Sequence, residues 1–286
     1  IAIVLPILPT FVHIKNRNWP AFILALWLIL LNIFTFVNSI VWSGDDVTKW
    51  WDGYGFCDLE IRFFISATIG IMSCVIAITR NLSIIVSREG PRVYFADTKA
   101  QRRKRLAIDL SICIVPFIIL NAVYYVIQPY RFFLVQNAGC TAPNLTTWLG
   151  LVLNVLWGPI AALIASGYAI LTVCRYLKRR RDFEEVMLSS SSTSSHFFRL
   201  LLFSSLIVLI MLPLSLYVLY LNTSMGVTRF SWSEVHSLLW GMVPRLLADG
   251  APVSSWFTVV GSYLFFIFFG FGNDAVILYK GILKRV

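Results

Sequence analysis

The chain has 286 residues, 58% hydrophobic and 13% charged, with a mean hydropathy of +0.77. A soluble domain carries about 25% charged residues, so the composition excludes a soluble enzyme or binding module and points to a polytopic membrane protein. Its net charge of +10 comes from 24 Lys and Arg against 14 Asp and Glu. In a soluble protein that would suggest nucleic acid, but these cations gather between apolar runs, the bias of cytoplasmic loops, and no nucleic-acid partner is expected.

Residues 1–12 are apolar but too short to span a bilayer alone; they are read as a truncated first helix whose start is expected upstream. A loop with Lys15 and Arg17 follows, then a second helix over 19–42. The acidic loop with Asp45, Asp46 and Asp52 leads into a third helix over 58–86. Its uncharged stretch of 17 residues, 63–79, at about 1.5 Å rise per residue is just long enough to cross the hydrocarbon core. A basic loop ends at Arg105, and a fourth helix is predicted over 106–127. The uncharged run that follows divides into a polar loop to about residue 147 and a fifth helix over 148–177. A Ser/Thr tract, 189–195, reads as a flexible linker. The sixth helix spans 199–221 and contains Pro213, which removes a backbone donor and serves as a candidate hinge. Between it and the seventh helix, 255–280, Ser231 and Glu234 stand at capping-box spacing. Trp232, Val235, Leu238, Leu239 and Met242 repeat there at helical spacing, so a short amphipathic helix on the outer leaflet is expected. The fold class is therefore an all-α membrane protein, one seven-helix bundle over residues 1–286.

Loop charge sets the orientation. Assigning loops alternately gives one side 19 Lys and Arg and the other five. The richer side is cytoplasmic by the positive-inside rule, with the N-terminus outside and the C-terminus inside. The basic face suits anionic membrane lipid or an acidic partner.

Cys57, at the outer end of helix three, and Cys140, in the next outer loop, share the oxidising side. Cys74, Cys113 and Cys174 lie in apolar runs, so the first two are the pair placed to bridge. Asn144 and Asn222 begin outward-facing glycosylation triplets. Only three histidines occur, without a metal-ligand or nucleophile motif, so no enzyme, metal or cofactor is expected. Glu60, Arg62, Asp109 and Asp274 lie near helix ends, where interfacial water would solvate them. A proton or ion carrier would keep such groups at the midplane; a seven-helix transporter or channel for a small solute is the alternative reading. Polar and aromatic groups in the outer helix halves are candidate ligand contacts: Asn38, Trp42, Glu60, Phe64, Asn121, Tyr124, Tyr125, Trp148, Tyr217, Tyr220, Trp256 and Tyr263. Interfacial aromatic belts account for about half of such residues.

Several stretches have a familiar look: Trp42-Ser43-Gly44-Asp45-Asp46, Trp51-Asp52-Gly53-Tyr54-Gly55-Phe56-Cys57-Asp58, Arg80-Asn81-Leu82, Gly139-Cys140, Arg199-Leu200-Leu201, Leu212-Pro213-Leu214-Ser215 and Gly270-Phe271-Gly272-Asn273-Asp274-Ala275. In this order the chain resembles the fungal mating-pheromone receptors of the a-factor type, a class D group of G-protein-coupled receptors. The resemblance implies a multi-pass plasma-membrane receptor for a peptide pheromone with a farnesylated C-terminal cysteine, coupled to a cytoplasmic heterotrimeric G protein. The G protein would meet Arg80, Asn81, Arg175, Lys178 and Arg199; a homodimer is left open. Helix three ends in Thr79-Arg80-Asn81 and not in an acid-Arg-Tyr triplet, and helix seven has no Asn-Pro-x-x-Tyr, so the rhodopsin-like switch is not carried over.

Overall fold

A computed structural model describes residues 1–87, 98–143, 146–178, 191–224, 226–248 and 253–272. Asn144, Asp274 and the predicted end of helix seven lie outside the described residues, as does the start of the Ser/Thr tract. The helices are α1 (Ile7–Lys15), α2 (Trp19–Val41), α3 (Phe56–Ile85), α4 (Lys99–Tyr124), α5 (Trp148–Lys178), α6 (Ser191–Ser224) and α7 (Val253–Phe269). By length and composition α2 to α6 can each cross a membrane, whereas the apolar part of α7, Ser255–Phe269, is shorter.

Local chemistry places the helix starts. The Asn18 side chain accepts from the Ala21 N–H, with Pro20 in the first turn of α2. The Asp58 carboxylate accepts from the Gly55 N–H at 3.0 Å as α3 begins. A reciprocal Thr98–Gln101 capping box starts α4 at Lys99, upstream of the predicted residue 106. Capping groups outrank the loss of apolar character here, because Lys and Arg are themselves good helix formers. α6 likewise begins at Ser191, inside the tract read as a linker.

α5 opens with a wide π turn, Leu151–Val155, in which Leu156 N–H bonds to Leu151 O at 3.0 Å. Pro159, one turn on, has no N–H for the Val155 carbonyl, and widened turns accommodate such a missing bond.

α3 is the central helix, packed against α2, α4, α5 and α6. The α5 residues Gly158, Ala161, Ala162, Ala165 and Ala169 are buried, and small side chains let two helices approach closely in lipid. At Gly70 on α3 an added Cβ would lie 2.3 Å from Cζ2 of Trp27, so that indole occupies the space a side chain would need.

The loops at the disulfide end form a cap with its own apolar cluster of Trp42, Trp50, Cys57, Ile61, Phe132, Leu134 and Cys140. The segment predicted as a polar loop contains β1 (Phe133–Val135) and β2 (Gly139–Thr141), paired antiparallel, and β3 (Arg245–Leu246) adds in parallel to β1. The expected amphipathic helix after residue 231 is reduced to two short turns, Trp232–Val235 and Leu238–Gly241. Ser231 makes no cap bond and faces Ser233 instead. The segment is tied outward at His236, Trp240 and β3, and these anchors override helical periodicity.

Candidate functional site

The Cys57–Cys140 disulfide joins the first turn of α3 to β2. Around it the cap is pinned by polar contacts. Arg131 grips Asp58 with two bonds, 2.7 and 2.6 Å, and lies 4.7 Å over the Tyr54 ring. Those Asp58 bonds push the Arg131 pKa up. Arg245 pairs with Asp52 and also donates to Val47 O. Gln136 donates to Asp45 at 2.7 Å.

Beneath the hairpin Asn38 donates to Glu60 Oε1 at 2.6 Å and to the Ala138 carbonyl at 2.7 Å. Glu60 is 0% exposed and Asp109 only 7%, so neither has the interfacial solvation expected, and Asp109 is not near a helix end because α4 begins ten residues earlier. The cap closes over the first, and Asn81 and Arg80 cover the second. The ligand atoms of Cys57, Glu60 and Cys140 fall within 4.8 Å of one another; the two sulfurs are bonded to each other and so are not thiolate donors.

Below the cap, a cavity of about 240 Å³ opens between α3, α4, α5 and α6. Apolar walls come from Phe64, Leu120, Trp157, Met211 and Leu214, among others, and polar groups from Thr68, Asn154, Ser215 and Asn222. Such an apolar surface with a few polar groups is the usual make-up of a small-ligand site. Asn154, within the π turn, lies on its wall, and Gly158 keeps α5 thin where Thr68 and Ser215 approach. A second, more open groove of about 580 Å³ runs along the cap-side halves of α5 and α6, lined by Trp148, Leu151, Val152, Leu156, Leu216, Leu219, Tyr220 and Thr223.

The candidates read from sequence fall in separate places. Phe64 and the glycosylation candidate Asn222 line the cavity, while Trp148 and Tyr220 line the groove. Trp42 is buried in the cap, its indole N–H donating to Trp51 O. Tyr124 is buried and donates to Pro143 O at 2.8 Å. Both hold the cap and neither faces the cavity, because each polar tip is spent on a loop carbonyl. Asn121 donates to Ser66 at 3.3 Å and to Phe117 O. Tyr125 stands among Trp232, His236 and Trp240. Tyr217, Trp256 and Tyr263 are exposed. Thr68, Asn154 and Ser215 were not singled out from sequence, although an Asn within the apolar run before Trp157-Gly158-Pro159 was a usable signal.

At the opposite end of α3, Asn81 donates to both carboxylate oxygens of Asp109 at 3.0 Å, and Arg80 lies 3.9 Å from that carboxylate. Arg175 donates to Ser83 O at 2.8 Å, and Thr172 to Thr79 O at 3.3 Å. α3 is thus tied to α4 and α5 here, while Lys178 is exposed. Arg199 lies against Gly272, where a Cβ would be 2.9 Å from the guanidinium. Nearby, His13 packs against His196, Phe265 and Phe269, joining α1, α6 and α7. Pro213 lies inside α6, next to cavity residues 211, 214 and 215.

The family model described as "Pheromone A receptor" matches residues 1–286. The pheromone a factor receptor of Saccharomyces cerevisiae is 29% identical over 290 residues, covering 100% of this chain and 60% of that protein. Pheromone receptor 1 of Mycosarcoma maydis is 29% identical, covering 100% of this chain and 82% of that protein. The pheromone B alpha 1 receptor of Schizophyllum commune is 25% identical, covering 99% and 45%. The chain therefore spans only about half the length of several relatives it matches. No solved structure matches.

Proposed function

The chain belongs to the pheromone A receptor family, and from that premise we propose that it is the membrane domain of a mating-pheromone receptor in the fungal plasma membrane. α1 and α7 complete a seven-helix domain, with the cap outside and the Arg80 end in the cytosol; the 19-to-5 division of Lys and Arg supports that orientation. The ligand is a peptide whose C-terminal cysteine carries a farnesyl chain, and the partner on the inner face is a heterotrimeric G protein. The observation that carries the reading is the cavity between α3, α4, α5 and α6, set between a disulfide-pinned cap and a polar junction on the same central helix.

In this reading the lipid chain lies against the aromatic and aliphatic walls, including Phe64, Trp148 and Tyr220. Each methylene buried there contributes about 0.8 kcal/mol. Thr68, Asn154, Ser215 and Asn222 orient the peptide. Asn38, Glu60, Trp42, Asn121 and Tyr124 shape the outer wall without touching the ligand. Occupancy that favours a splayed α6, with Pro213 as the bend, shifts the population toward a state in which the inner junction opens. Arg80, Asn81, Arg175, Lys178 and Arg199 then meet the G protein.

The test is nucleotide exchange on a G protein in membranes bearing the receptor, with a mating-type peptide in farnesylated and unmodified forms. The farnesylated form should act at a concentration at least about tenfold lower, the equivalent of 1.4 kcal/mol. Ser215→Leu, which fills the cavity, should raise the required concentration without reducing surface expression. Exchange that ignores both the peptide and the substitution, in a receptor shown to be folded, would overturn the reading.

A further inference from the structure

The Cys57–Cys140 bond leaves three thiols, and two of them are neighbours. Cys74 on α3 and Cys113 on α4 are 0% and 1% exposed and lie in one apolar cluster. Their approach follows from the antiparallel register of the two helices. Toward the cap, Asn121 donates to Ser66 at 3.3 Å, eight positions away from each cysteine. Toward the inner end, Asn81 donates to Asp109 at 3.0 Å, two turns beyond Cys74 and one turn beyond Cys113. Two inter-helix bonds therefore bracket the thiols and hold them opposite each other. Cys174, on α5, is exposed and stands apart from them.

We propose that Cys74 and Cys113 form a dithiol modification site that a small, uncharged two-electron oxidant closes into a disulfide, fastening α3 to α4 within the bundle. The apolar surroundings exclude charged reagents, which selects hydrogen peroxide or an oxidant of that class. One sulfur attacks a peroxide oxygen and the O–O bond breaks, giving a sulfenic acid and one water after proton transfer. The second sulfur attacks the sulfenic sulfur; the S–S bond forms, the S–O bond breaks and the second water leaves. Two thiols are oxidised and one peroxide is reduced to two waters. The bond would lie one turn from Asp109 and so keep the Asn81–Asp109 junction in its present closed form. The effect on signalling rests on the receptor reading above; the chemistry of the thiols does not.

Trypsin sites after Arg62, Arg80, Arg105 and Arg131 isolate the pair in fragments 63–80 and 106–131, which hold no other cysteine. Membranes bearing the receptor are treated with hydrogen peroxide, denatured in iodoacetamide, digested and weighed. The expected product is the two fragments joined, about 2 Da lighter than the sum of their reduced forms, and absent from Cys74→Ala and Cys113→Ala. Both fragments recovered separately and alkylated, in samples where Cys174 is oxidised, would overturn the proposal. In the exchange assay, peroxide should reduce peptide-stimulated turnover several-fold in the unaltered receptor and leave Cys113→Ala unaffected. A quantitative link with unchanged turnover would overturn the fastening of the junction while leaving the thiol site standing. A receptor inert to peptide before oxidation would count against the receptor reading alone.

Discussion

Replacing Gly139 with alanine should weaken the cap far more than a loop substitution normally does. Gly139 has φ +67, and a Cβ there would lie 2.3 Å from Cγ and 2.5 Å from Oδ1 of Asn38. The left-handed backbone costs a residue with a Cβ about 1–2 kcal/mol. Asn38 must also move, and its bonds to Glu60 and the Ala138 carbonyl contribute about 1 kcal/mol each. Glu60, wholly buried, would lose its donor, which costs about 1–3 kcal/mol more. The total is about 4–7 kcal/mol, and a Tm fall of about 10 °C or more follows from the usual scaling. Thermal unfolding of the detergent-solubilised receptor measures it. Gly55→Ala is the control: it has φ +82 with nothing within 4 Å of the added Cβ, so only the backbone cost should appear. Asn38→Ala removes the obstacle, so the Asn38→Ala/Gly139→Ala double variant should cost less than the two singles added. Strict additivity, or equal losses at Gly55 and Gly139, would refute this account of the cap.

Three other outcomes follow from the same geometry. Gly70→Val should drive Trp27 off α3 and cost about 2–4 kcal/mol, since overpacking and a displaced indole combine; solubilised yield and Tm report it. Arg131→Met should cost no more than about 1 kcal/mol, because the Asp58 pair is one-third exposed on each side and such pairs are screened by water and salt; the loss should shrink further in high salt. Asp109→Leu removes the acceptor for Asn81 and Arg80, and if that junction holds the inner face closed, basal nucleotide exchange should rise several-fold without peptide.

The five helices long and apolar enough to cross a membrane were legible because such a run of apolar residues has few alternative fates. Cys57 and Cys140 were legible for a similar reason: alternating loops placed only those two sulfurs together on the outer side. What escaped depended on contacts between distant segments. Phe133 to Val135 carries no turn or charge signal that would announce a strand, and its partners lie at 139–141 and 245–246. The periodicity after Ser231 was real, yet anchors at Tyr125, Gln128 and β1 outcompeted a helix.

Glu60 and Asp109 expose the same limit and also its meaning. Glu60 stands in the second turn of α3, and Asp109 was expected near a helix end but lies ten residues inside α4, which begins at Lys99. Each is dry because another element folds over it: the cap hairpin in one case, the end of α3 in the other. An acid made dry in this way is partnered only while that element stays in place, since a buried polar group left without its donor is costly. The two acids therefore make the packing of α3 with its neighbours nearly all-or-none at both ends of the bundle. Between them α3 carries Phe64 and Thr68 on the cavity wall. A ligand seated there presses on a helix whose two ends are each held by a bond that is either made or lost. Under the receptor reading proposed above, that arrangement would let occupancy of a small cavity alter the far end of the bundle, instead of being absorbed by gradual deformation along the helix.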